Sequence, residues 1–147
     1  MKKLPYSSDM SGVFFQIVGD FREENNDFAL KLVKGWKLID FSFGMLKSLE
    51  CPYYYDGNLD SFIDTICDLS WINKPSLTIV LSNVQEFVDS LDGFELNLLI
   101  KITDSINEFW KSNYKNNYTK IRHFRMILIL ESDIHALSSN TSIGWID

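Results

Sequence analysis

Two short runs constrain this chain most. Leu77-Thr78-Ile79-Val80-Leu81 and Met126-Ile127-Leu128-Ile129-Leu130 are almost wholly apolar and rich in β-branched residues. Each is too brief for a helix and suits a strand buried on both faces, as in parallel sheets covered by helices. Helical spacing appears around them. Phe41 to Leu49 carries Phe41, Met45, Leu46 and Leu49 at helical intervals, and Pro52 disfavours helix for the residue ahead of it. Gln85 to Leu91 reads as a short helix, and Glu95 to Trp110 places Leu98, Leu99, Ile102, Ile106, Phe109 and Trp110 on one side of a longer one. Phe28 to Val33 alternates as a strand would, with Gly35 as the following turn. Strands alternating with helices predict an α/β fold with a small parallel sheet and right-handed crossovers. At 147 residues, with 46% hydrophobic and 14% aromatic residues, the chain is the size of one domain and has material for a core.

The two ends read differently. Residues 1–27 have polar turns, one possible strand at Val13 to Val18, and the solvated run Arg22 to Asp27, so an N-terminal extension is expected whose removal leaves a cooperatively folding domain. The main domain is expected over 28–137 and a C-terminal tail over 138–147. The apolar run Gly12 to Val18 is interrupted by Gln16, is too short for a signal peptide, and nothing approaches a membrane span, so a cytoplasmic location is expected. Cys51 and Cys67, with only His123 and His135 elsewhere, give neither a disulfide framework nor a metal site, and no cofactor is expected.

Tyr54 to Trp71 carries the chemistry. Leu59, Phe62, Ile63, Ile66 and Leu69 form one apolar arc of a helix, while Asp60, Asp64 and Asp68 form a stripe at four-residue spacing on its exposed side. Like charges so placed cost an isolated helix roughly 0.2–0.5 kcal/mol per pair, and the helix dipole favours only Asp60, in the first turn. A cationic partner would account for the stripe. Asp56-Gly57 is a turn signal and Asn58 is well placed as the N-cap. From Glu50 to Trp110 eleven acidic residues face two basic ones, a net −9 in a chain whose total is −6. That concentration argues against nucleic acid or an anionic membrane as ligand of this face, and for a basic protein.

Pro52-Tyr53-Tyr54-Tyr55-Asp56-Gly57-Asn58-Leu59-Asp60, followed by Asp64 and Asp68-Leu69-Ser70-Trp71, resembles the barstar family of intracellular ribonuclease inhibitors. Leu32 to Asp40 is similar to the family's first strand and the turn into its first helix, Pro75 to Leu81 to its second strand, Leu98 to Trp110 to its long helix, and Phe124 to Leu130 to its last strand. The resemblance implies a three-stranded parallel sheet packed against helices, and an immunity protein that blocks a basic nuclease toxin, most simply a ribonuclease, in a one-to-one complex. It implies Asp64 as the central anion and Asp60 as a pair for a second basic group. Tyr54, Asn58 and Ile63 supply shape, and Asp56 stands where the family usually has glycine. Asp68, with Asp104 or Glu108 of the long helix, extends the negative face. The alternative is a barstar-like interaction module whose partner is a non-ribonuclease toxin or a regulatory protein. Asp60 and Asp64 could also imitate the carboxylate pair of a retaining glycosidase, at the ~5–5.5 Å such pairs require; no motif supports that, and no enzyme is expected. Lys111, Lys115, Lys120, Arg122 and Arg125, with Tyr114 and Tyr118 between them, read as a solvated basic loop rather than a nucleic-acid patch.

Overall fold

The computed structural model describes residues 2–22, 27–112, 119–139 and 141–147. The runs Glu23 to Asn26 and Asn113 to Tyr118, which include Tyr114, Lys115 and Tyr118 of the basic segment, lie outside the described residues.

The strands are β1 Lys3–Leu4, β2 Gly12–Ile17, β3 Phe28–Lys31, β4 Ser76–Ser82, β5 His123–Leu130 and β6 Gly144–Ile146. The helices are α1 Leu38–Ser48, α2 Leu59–Ile66, α3 Val84–Asp89, α4 Gly93–Lys111 and α5 His135–Ser138. One sheet takes all six strands in the order β1-β6-β2-β5-β4-β3, each neighbouring pair parallel. The α/β fold and parallel sheet are as expected, but the expected three strands become six. The physical reason lies in β5, whose residues from Phe124 to Leu130 are all buried. With β4 on one side only, it would present an apolar edge, and β2 closes that edge from Gly12↔Arg125 to Ile17↔Leu130. The segments expected as extension and tail therefore supply β1, β2 and β6.

One face of the sheet carries Val13, Phe15, Leu77, Ile79, Leu81, Phe124, Met126 and Leu128 into a core shared with the helices. Here α1 packs on β3 and α4 on β2, while α2 packs on α1 and α4. Asn107 of α4 accepts the Val13 N–H at 2.8 Å, and Gly12 makes room for it: a Cβ there would lie 2.6 Å from the Asn107 Oδ1.

The other face has its own cluster of Phe14, Val80, Ile127, Ile129 and Ile146, covered by Tyr6, Met10 and Phe21 from the N-terminal segment. Arg125, expected in a solvated loop, is 3% exposed on this face. Its guanidinium donates to Thr78 Oγ1 (3.0 Å), Ser76 Oγ (2.6 Å) and the carbonyls of Ser8 (2.6 Å) and Met10 (3.2 Å). A buried cation is tolerable only with its donors satisfied, and here β4 and the N-terminal segment satisfy them together. Gln16 joins the ends similarly, donating to the carbonyl of Asp147 at 2.8 Å.

Candidate protein-binding face

The loop from Glu50 to Gly57 joins α1 to α2, and its last residues shape the start of α2. Asp56 Oδ1 accepts the Asn58 N–H (3.0 Å), and Asn58 Oδ1 accepts the N–H groups of Asp60 (2.9 Å) and Ser61 (3.2 Å). Two of the helix's free amides are thereby satisfied, as the Asn58 N-cap was expected to do. Gly57 has φ +91°, and a Cβ at that position would lie 2.8 Å from Ile39 Cδ1, so the turn requires glycine twice over.

The buried side of α2 is firmly held. Phe62 and Ile66 are fully buried, with Leu59 and Ile63 partly buried against the same core. The Phe62 ring meets Phe41 of α1 edge-on at 5.9 Å. At the far end the Trp110 indole N–H donates to the Ile66 carbonyl at 3.1 Å.

The helix ends there with a turn at Leu69. Another helical turn would deliver the Ser70 N–H to the Ile66 carbonyl; instead Asp68 Oδ2 accepts it at 3.2 Å, and Leu69 turns the backbone with φ +49° while its side chain stays fully buried. The expected stripe of three is thus corrected to two. Asp60 and Asp64 share the exposed side of α2, whereas Asp68 lies half-buried in the turn beyond it. Among the described residues no ion pair reaches Asp56, Asp60 or Asp64.

The three tyrosines divide their roles. Tyr53 packs edge-on against Trp71 (5.8 Å), whose indole N–H donates to the Leu49 carbonyl at 2.8 Å. Tyr55 is half-buried, its ring 4.7 Å from Phe43 and its hydroxyl donating to Ser42 Oγ at 2.8 Å. Burial pushes the Tyr55 hydroxyl above its usual pKa, the Ser42 bond opposes this, and the Asp56 charge adds to the rise. Tyr54, 92% exposed, projects into solvent. Beneath the acids the Cys67 thiol is pushed up to about 12, by burial first and the Asp64 charge second, so it stays protonated at neutral pH. Cys51 and Cys67 are both free.

A family model described as "Barstar (barnase inhibitor)" matches residues 40–123. The chain belongs to the barstar family. The match runs from the first turn of α1 to the first residue of β5, so the acidic helix lies wholly within the barstar region, while β1, β2, β3 and β6 lie outside it. No curated protein and no solved structure matches the chain. Membership in a family of barnase inhibitors supports a protein-binding role of the ribonuclease-inhibitor kind.

Within the barstar region the two acids of α4 expected at the negative face, Asp104 and Glu108, separate. Asp104 Oδ1 accepts from the Thr141 hydroxyl and from the N–H (3.2 Å) and hydroxyl (3.3 Å) of Ser142, holding the approach to β6. Glu108 remains exposed. Glu95 accepts the Leu38 N–H at 3.1 Å and Asp40 the Lys37 N–H at 2.9 Å, so both serve the start of α1. Two exposed apolar residues were not anticipated from the sequence: Ile39 and Phe43, one turn apart on α1 outside its buried arc. Their i, i+4 spacing was a visible signal. Among the described residues no group of His, Cys, Asp and Glu is arranged to hold a metal, and no helix is long and apolar enough to cross a membrane.

Proposed function

We propose that this barstar-family chain is an immunity protein that binds one molecule of a basic nuclease, a ribonuclease, and blocks it by occupying the active site. The observation that carries this is the exposed pair Asp60 and Asp64 on a rigidly backed helix, without an intramolecular cation among the described residues. A ribonuclease cleft holds phosphates with Arg, Lys and His, and carboxylates on a fixed frame can enter those subsites as charge-assisted acceptors. Asp64 is the central anion and Asp60 pairs with a second basic group at the rim. Tyr54 and Ile63 give shape. Asn58 spends its carbonyl oxygen on the cap, so its amide NH2 is the group it offers a partner. Asp56, and Asp68 in its turn, add to the field around the helix. The role is binding, with no reaction assigned to the chain.

The test is a titration of RNA cleavage by barnase, the enzyme in the family's description. Cleavage should stop at one equivalent of the chain, and association should slow steeply as salt rises while dissociation changes less. Cleavage that continues under excess chain overturns the reading for this enzyme. Binding without inhibition would instead favour an interaction module whose partner is not a ribonuclease.

A further inference from the structure

Ile39 and Phe43 are 44% and 46% exposed, although neighbours on the same helix, Phe41 and Met45, are almost wholly buried. Both side chains lie against the Gly57 turn: a Cβ at Gly57 would be 2.8 Å from Ile39 Cδ1 and 3.6 Å from Phe43 Cε2. Phe43 also packs on Tyr55, the residue between exposed Tyr54 and Asp56. The apolar pair therefore adjoins the Asp56-Gly57 turn that leads into the acidic helix.

We infer that Ile39 and Phe43, with Tyr54, form an apolar shelf that seats an apolar loop residue of the cationic protein partner beside the group bound by Asp60 and Asp64. This rests on the inhibitor reading above. Charge selects the occupant. A second copy would bring Asp56, Asp60 and Asp64 against their own kind, and a nucleic acid or anionic lipid surface would meet the same repulsion. A basic protein is attracted to this flank, and only its surface combines cations with apolar side chains. The parts of the face then divide the work: the rim acid Asp60 mainly accelerates encounter, while the Asp64 contact and a desolvated apolar anchor beside it hold the complex together.

The probe is barnase, and the full chain is compared with Phe43→Ser, Ile39→Ser, Phe43→Leu, Asp60→Asn and Leu4→Ser. Leu4 is an exposed apolar residue on β1, at the sheet edge opposite β3. Phe43→Ser and Ile39→Ser should each weaken binding by roughly tenfold or more through faster dissociation, with the salt dependence of association unchanged. Phe43→Leu should recover most of the loss, and Leu4→Ser should bind as the unaltered chain does. Asp60→Asn should do the converse of the shelf variants, slowing association and flattening its salt dependence. If Phe43→Ser melts early because its Tyr55 contact is lost, Ile39→Ser decides alone. Affinities within twofold for the shelf variants, with Asp60→Asn still impaired, overturn the shelf and leave the acidic face standing. Failure of the unaltered chain to bind barnase removes the underlying function for this probe, and the shelf with it.

Discussion

Asp64 stands exposed one turn beyond Asp60, and its carboxylate has no cation among the described residues. Replacing it with Ala removes one like-charge pair and inserts the best helix former, so the free chain should gain about 0.5–1 kcal/mol in urea unfolding. Binding to a basic nuclease should fall, by about 1.5–7 kcal/mol if the pair is close, a scale set by barnase–barstar itself, the type complex of this family. Loss of stability on this substitution would mark Asp64 as structural. Cys67 gives a pH test at the same scale. Its pKa is raised from 9.0 to about 12 in the fold, so the protonated form is favoured there. The stability it contributes is complete below pH 9 and is lost as pH rises toward 12, because the unfolded chain sheds the proton first. Unfolding measured across that window should show a shallower decline for Cys67→Ala than for the unaltered chain; equal slopes would mean the thiol titrates normally.

The end of α2 depends on a residue of α4. Trp110→Phe keeps an aromatic ring stacked on Phe124, now 4.7 Å away, but removes the indole N–H that donates to the Ile66 carbonyl. The buried acceptor is left unpaired, and the chain should lose about 1–3 kcal/mol in chemical unfolding. An unchanged midpoint would show that the α2 terminus is secured by the Asp68 turn alone. This explains how far the elements could be read from the sequence. The cores of α1, α2 and α4 and the strands β4 and β5 were legible because apolar periodicity is local, and so was the Asn58 cap, whose partners lie two and three residues on. Termination of α2 was not, because a non-glycine residue, Leu69, makes the left-handed turn, and the Ile66 carbonyl is satisfied by a side chain 44 residues away. Asp68 consequently read as a third helical carboxylate. Ile39 lies ahead of the helix read from Phe41 to Leu49, and Phe43 is unmarked within it, since only the fold shows which apolar flank of α1 stays uncovered.

At the level of the whole molecule, the barstar region supplies the acidic face and the flanking segments complete the sheet behind it. Val13 to Val18 was readable as a strand, but its parallel partners lie more than a hundred residues away and leave no local trace. The cover over the second sheet face was equally hidden, because Arg125 reads as surface until its hydrogen bonds to Ser8 and Met10 are seen. Deleting residues 1–22 should therefore abolish the cooperative thermal transition, by exposing the β5 edge and stranding a buried guanidinium. A truncated chain that melts as sharply as the full one would show that β1 and β2 merely dock on a self-sufficient core. The placement of β2 also sets a schedule during synthesis. Residues 12–17 leave the ribosome well before residues 123–130 and 144–146, which are their neighbours in the sheet. A nascent chain that has emerged only through α4 already carries Asp60 and Asp64 but lacks both strands that flank β2. Pairing at such sequence separation is slow to form, so the sheet behind α4 and the acidic helix is completed only once residues 123–146 have emerged. On the inhibitor reading proposed above, protection would then be limited by chains that have passed residue 146 rather than by initiated ones.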